Sequence, residues 1–216
     1  MLSMLEEVVL LTVDERNGGL RSTREYSTAY ALVGAVFFDL ALAKKIDTDT
    51  EEVQIIDPTP TGNVTLDRVL AHMVTRPDLK TVTEWIEEIF HERDDLEGEA
   101  LTSLIDARIL RHEKSKLLWI IDVERFPLVD DRPQQHVRLR LANTILSDRI
   151  PETRDIMLVS IAEPCGLLPY VLSEDTLGLR RARVQLLCNM ETISRKVADA
   201  IVRLEVMLRQ AMAKVV

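Results

Sequence analysis

Apolar and polar positions divide this chain into helical stripes around one segment that has no polar face. From Ala31 to Ala43 the only charge is Asp39, and Lys44-Lys45 end the run. A helix that is apolar all round must be buried on every side or lie in lipid. A bilayer core requires about 20 such residues, and this run is shorter. The pattern therefore predicts a central helix, from about Tyr26 to Lys45, with other helices packed around it.

Around that helix the chain reads in order. Ser3-Met4-Leu5-Glu6 is a capping box that opens a short helix or turn. Val8 to Val13 continues that helix or forms a short strand, and Asp14 to Gly19 is a polar turn. Val53 to Asp57 reads as a short strand, and Pro58 to Gly62 breaks the chain. Val64 to Val74 has apolar residues at near-helical spacing. Thr81-Val82-Thr83-Glu84 is a second capping box, whose helix reaches His91. A helix from about Leu96 to Ala107 leads into a hairpin, with strands Ile109 to His112 and Leu117 to Ile121 around a turn at Glu113 to Lys116. Arg132 to Leu146, Arg154 to Leu168, Leu177 to Leu187 and Thr192 to Val216 read as four further helices. The fold class expected is mainly α: buried central helices ringed by amphipathic helices, with one or two short β-hairpins, in a single domain over 1–216.

Composition agrees with a globular helical domain. Only 7 Gly and 8 Pro argue against a sandwich or barrel with many tight turns. Aromatics are 4%, so aliphatic side chains must fill the core. Cys165 and Cys188 lie in apolar surroundings and read as free thiols in a reducing compartment. Met1 to Leu11 carries Glu6-Glu7 and lacks the basic start of a signal peptide, so the expected location is cytoplasmic, peripheral at most on the cytoplasmic face of a membrane. The match to a glycosylation acceptor at Asn63-Val64-Thr65 carries no weight without secretion.

Chemical motifs are mostly absent: no phosphate-binding glycine loop, no zinc or calcium signature and no nucleophile elbow occurs. The histidines, His72, His91, His112 and His136, lack metal-ligand spacing and read as surface or boundary residues. No catalytic residue, metal or cofactor is nominated. Glu6 and Glu7 are adjacent on a helix and so do not face each other.

Charge is more informative. The net charge of −9 speaks against a dedicated nucleic-acid binder. Glu84 to Glu99 holds eight acidic residues and one basic one, a net of −7. Arg108 to Lys116 holds four basic residues and one acidic one, a net of +3. Arg108, Arg111, Lys114 and Lys116 are either a solvated face or a contact to an anionic surface, where each cation adds about 1 kcal/mol. Arg180, Arg181 and Arg183 form another basic knot.

The ordered segments Leu5-Glu6-Glu7-Val8-Val9-Leu10-Leu11, Ala31-Leu32-Val33-Gly34 with Asp39-Leu40-Ala41-Leu42-Ala43, Pro60-Thr61-Gly62-Asn63-Val64 with Leu66-Asp67, Trp85-Ile86-Glu87, and Leu104-Ile105-Asp106 with Ile109-Leu110 resemble the Golgi phosphoprotein 3 family. The likeness continues through Leu117-Leu118 to Pro127 and, more faintly, to Val184-Gln185-Leu186-Leu187. It implies a mostly helical domain of prokaryotic type, and a non-enzymatic peripheral membrane adaptor. Such an adaptor binds anionic phospholipid (phosphatidylinositol 4-phosphate in the family) and/or the cytoplasmic tails of membrane proteins. It also implies a headgroup pocket, built in the family from a tryptophan and an arginine around the start of the central helix and two arginines on a later helix. Here those positions fall on Arg24, Val33, Asp94 and Glu97, with Arg21 and Arg93 as substitutes. Two carboxylates at that place would repel a phosphate monoester, which needs donors and positive charge. The segment Asp47 to Asp57 is shorter than the hairpin that supports oligomerisation in the eukaryotic members, so the oligomeric state stays open.

Two other readings stand beside the adaptor. One is a winged-helix-like DNA-binding regulator, motivated by a helix ending near Ala107 followed by a hairpin. The other is an enzyme, which no motif supports.

Overall fold

A computed structural model describes residues 2–21, 27–48, 52–117 and 121–213. The first helix, α1 (Met4–Thr12), opens as the capping box predicts. Ser3 Oγ accepts from the Glu6 amide, and Glu6 Oε2 accepts from the Ser3 amide. Val8 to Thr12 continues this helix rather than forming a strand.

The central helix is α2 (Ser27–Leu42), and every residue from Tyr30 to Leu40 is buried. It packs against α1 and five helices from later in the chain: α3 (Val64–Thr75), α4 (Val82–Phe90), α5 (Arg93–Asp106), α7 (Thr153–Ala162) and α9 (Thr192–Ala213). Gly34 lets α7 and α9 approach α2 closely. A Cβ there would stand 2.9 Å from Ile161 Cγ2 and 3.2 Å from Val197 Cγ1. The helix ends earlier than Lys45, in a left-handed residue, Lys44, with φ 57°. The Lys44 amide donates to Ala41 O and the Lys45 amide to Leu40 O, which satisfies two of the last carbonyls.

A second helix buried all round is α7, in which every residue from Asp155 to Ala162 is buried. It stops at Ala162, short of the expected Leu168, because Pro164 and a left-handed Gly166 intervene. A short 3-10 turn, Leu168–Tyr170, follows. Helix α3 and the remaining helices, α6 (Arg132–Leu146) and α8 (Glu174–Cys188), are amphipathic and ring the core. One apolar cluster takes residues from Met4 to Leu204.

The β structure consists of two antiparallel ribbons among the described residues. In the first, β1 (Ile46–Asp47) pairs with β2 (Gln54–Ile55), with Ile46 opposite Ile55. In the second, β3 (Glu113–Leu117) pairs with β4 (Ile121–Arg125), with Glu113 opposite Arg125 and Lys116 opposite Asp122.

The second ribbon corrects the expected hairpin. Glu113 to Lys116, read as a turn because it is polar, is a strand. Its polarity suits an exposed two-stranded ribbon, in which Lys114 faces Glu124 across the ladder. Ile109 and Leu110, read as strand, instead finish α5. Arg108 is left-handed (φ 58°), its amide donates to Ile105 O, and the Ile109 amide donates to Leu104 O. This closure turns the apolar Ile109-Leu110 pair back into the core. Gly18 then clasps the end of the ribbon. Its carbonyl accepts from the Phe126 amide at 2.6 Å, and a Cβ on it would sit 2.4 Å from Pro127 N.

Candidate functional site

Charged side chains gather in three places, and each has a local cause. The first is buried. Glu7, on the inner face of α1, accepts two hydrogen bonds from Arg140 of α6, at 3.0 and 2.7 Å. Arg140 also reaches Asp155 of α7, which accepts a further bond from Thr144. Arg154 lies 3.5 Å from Glu7 and 3.7 Å from Asp39, and donates to the Leu2 carbonyl. Asp39, the lone charge of α2, accepts from the Met4 amide at 2.8 and 3.0 Å and from the Leu5 amide at 3.3 Å. A carboxylate from the central helix thus occupies the amino end of α1, where orphan amides and the helix dipole favour it. Burial nevertheless holds the Asp39 carboxyl above its usual range. All these groups have partners, so the cluster reads as a clamp between α1, α2, α6 and α7.

The second place is an open groove of about 700 Å³ between the amino ends of α1 and α3 and the outer face of α5. Glu6, Asp39, Asp94, Asp95, Glu99 and Asp106 line it, and no Lys, Arg or His does among the described residues. Its walls are rigid for identifiable reasons. Asn63 caps α3 by accepting from the Leu66 amide, and Asp67 holds the preceding loop by accepting from the Thr61 amide and hydroxyl and the Gly62 amide. Glu99 is held by Arg68 at 3.1 and 3.2 Å. Asp94 and Asp95 sit in the first turn of α5, where the helix dipole favours carboxylates. Asp94 is 89% exposed, and its one ion pair among the described residues is a loose 3.8 Å contact with Arg93.

Around the third place, the start of α2, the expected headgroup residues scatter. Val33 is fully buried in the core and offers no surface to a ligand. Arg24 lies outside the described residues. Asp94 is exposed toward the groove, and Glu97 is half-buried, one turn along the same helix. Burial, reinforced by the charge of Asp94, pushes the Glu97 carboxyl up. Arg93 donates to the Phe90 carbonyl and lies 4.7 Å from the Phe90 ring, which in turn packs at a tilt against the Tyr30 ring with centres 4.6 Å apart. Arg21 pairs with Asp14 and lies 4.8 Å over the Tyr170 ring. Both candidate substitutes are therefore engaged with neighbouring side chains.

The basic run also changes character on folding. Arg111 pairs with Glu113 at 2.9 Å, and Lys114 pairs with Glu124 at 3.1 Å. Lys116 is in register with Asp122 in the ladder. Arg108 is exposed and serves the α5 ending through its backbone. His112 stacks on Phe126 with ring centres 5.2 Å apart.

Across residues 4–204 the chain matches the family model described as Golgi phosphoprotein 3 (GPP34). The chain belongs to the Golgi phosphoprotein 3 family. It is 24% identical over 207 residues to vacuolar protein sorting-associated protein 74 of Eremothecium gossypii, in an alignment covering 80% of this chain. The chain spans 62% of that relative's length.

The segments that carry the Golgi phosphoprotein 3 likeness lie mainly in scaffold. Leu5 to Leu11 is α1, Ala31 to Leu42 belongs to α2, Trp85-Ile86 is the buried face of α4, and Pro60 to Asp67 builds the loop and start of α3. Sequence reasoning found the acidic run of α5 but not the groove. Glu6, Asp39 and Asp106 come from other parts of the chain, and only packing brings them beside Asp94 and Asp95.

The structure also weighs against the winged-helix reading. The helix before the ribbon would be the recognition helix, yet α5 carries Asp94, Asp95, Glu97, Glu99 and Asp106 against Arg93 alone. Such a face repels a phosphate backbone. Cys165 is buried, and burial pushes the half-buried Cys188 thiol up to about 12, so it stays protonated.

Proposed function

We propose that this protein is a non-enzymatic peripheral membrane adaptor that holds the cationic cytoplasmic tail of a membrane protein in the groove between α1, α3 and α5. The observation that carries this reading is the groove's lining: six carboxylates and no cationic side chain among the described residues. Segments of membrane proteins next to the cytoplasmic face are rich in Lys and Arg. Such a tail supplies the charge the groove lacks. No helix among the described residues is long and apolar enough to cross a membrane, so contact with a bilayer would be made from the surface.

Family membership supports the adaptor class, and the relative's printed name places that protein in vacuolar protein sorting. The same geometry disfavours a phosphatidylinositol 4-phosphate pocket at the family's place. Asp94 and Glu97 would face the phosphate, and Arg21 and Arg93 are already engaged.

Fluorescence anisotropy with a labelled Lys/Arg-rich peptide tests the reading. Binding should weaken as salt rises and fall about tenfold or more in Asp94→Lys/Asp95→Lys, since each reversal replaces attraction by repulsion. Absence of binding, or equal binding by the double variant, overturns it.

A further inference from the structure

One exposed face has no role in the fold or the groove. On α8, Leu179 and Leu186 are 88% and 55% exposed, and their spacing puts them on one stripe with Arg183 between them. The loop from α6 to α7 carries Ile150, which is 94% exposed and is followed by Pro151. Two contacts fix this loop against α8. Arg183 Nη2 donates to the Arg149 carbonyl at 2.8 Å, and Arg180 Nη1 lies 3.6 Å from Asp148. Ile150 is therefore presented outward by a tethered loop. Arg149, Arg180 and Arg183 stand beside these aliphatic side chains, against Asp148 and Glu152, whereas Arg181 lies on the opposite side of α8.

Resting on the peripheral membrane reading above, we infer that this crest of Ile150, Leu179 and Leu186, with its three arginines, is the face that docks on an anionic lipid bilayer. Single exposed apolar residues are ordinary. Here they stand among arginines, whose stems can lie along the acyl boundary while the guanidinium groups reach the headgroups. Charge selects the occupant. A second copy in an isologous contact would press the same arginine-rich patch against itself, whereas an anionic leaflet complements it. The chain's net charge is −9, so acidic faces such as the groove are repelled by that leaflet. The arginine crest thereby also sets the orientation of the molecule.

Flotation of the full chain with phosphatidylcholine vesicles, with and without phosphatidylserine, tests the inference. Wild type should bind the phosphatidylserine vesicles preferentially. Ile150→Gln/Leu179→Gln should lower that partitioning about tenfold or more, because two large aliphatic side chains no longer enter the boundary. Arg149→Gln/Arg180→Gln should lower it by roughly fivefold per charge and flatten its salt dependence. Both pairs are surface changes, so thermal melts should match wild type. If wild type binds and Ile150→Gln/Leu179→Gln binds equally well, this face is wrong and the peripheral reading stands. If wild type binds no vesicle, the peripheral reading fails and this one with it. If Ile150→Gln/Leu179→Gln leaves flotation unchanged but converts a dimeric wild type to monomer, a second copy covers the face and the inference is overturned.

Discussion

Two groups of carboxylates in this protein share their chemistry and differ in everything else. Glu7 and Asp155 are buried and spend their charge on Arg140 and Arg154, and Asp39 spends its charge on the amides that open α1. Asp94, Asp95 and Asp106 line an open groove, and among the described residues they make at most one loose ion pair. A buried charge must be paired, because desolvation costs several kcal/mol per ion. An exposed charge is under no such compulsion, so the fold leaves it available to a ligand. The contrast separates what holds the molecule together from what it presents.

The largest effect should come from breaking the inner group. Arg140→Met leaves Glu7 and Asp155 buried without their main partner, and should cost about 3–5 kcal/mol. Urea denaturation followed by circular dichroism measures it; a loss below about 1 kcal/mol would mean that water reaches these carboxylates. Gly34→Val tests the helix that carries Asp39 by another route. Its Cβ meets Ile161 at 2.9 Å, and overpacking of this kind costs about 1–3 kcal/mol. An unchanged melting temperature would show that α2 and α7 can move apart freely.

The outer group should behave oppositely. Asp94→Asn/Asp95→Asn should change stability by less than about 1 kcal/mol per site, through the lost helix-dipole interaction, while weakening a basic peptide severalfold. A large stability loss with unchanged peptide binding would reverse the assignment of the two groups.

The smallest effect is one of sign with pH. Asp39 titrates above its unfolded value of 3.8 because it is buried. The folded state therefore holds more protons there, and stability falls as pH rises from 3.8 through the raised value. Asp39→Asn should flatten that fall. Asp57, half-buried and bonded to Lys45 at 2.5 Å, is lowered to about 2. Its contribution is complete above pH 3.8 and disappears as pH falls through about 2. Asp57→Asn should flatten that acid limb and leave neutral pH almost unchanged. Urea midpoints across pH measure both slopes, and slopes of the same sign would remove the contrast.

Much of the fold was legible in the chain because its signals are local. The two capping boxes, the run without a polar face at Ala31 to Ala43 and the helical spacing of Val64 to Val74 each declare themselves within a few residues. Errors arose where a polar stretch had two local solutions. Glu113 to Lys116 suits a turn or an exposed strand equally well, and only the opposing Asp122 to Arg125 decides between them.

The candidate site was legible as charge but not as place. The run from Glu84 to Glu99 announced an acidic face, and Glu6, Asp39 and Asp106 were visible only as isolated residues. The sequence by itself determined a helical scaffold, its central buried segment and an acidic balance, since periodicity and composition act along the chain. Tertiary structure alone decided which carboxylates are spent and which are presented. That division depends on solvent access and on partners more than 100 residues away, such as Arg140 beside Glu7. It likewise decided that Val33 is core, and that Ile150 stands beside Arg183 on a tethered crest.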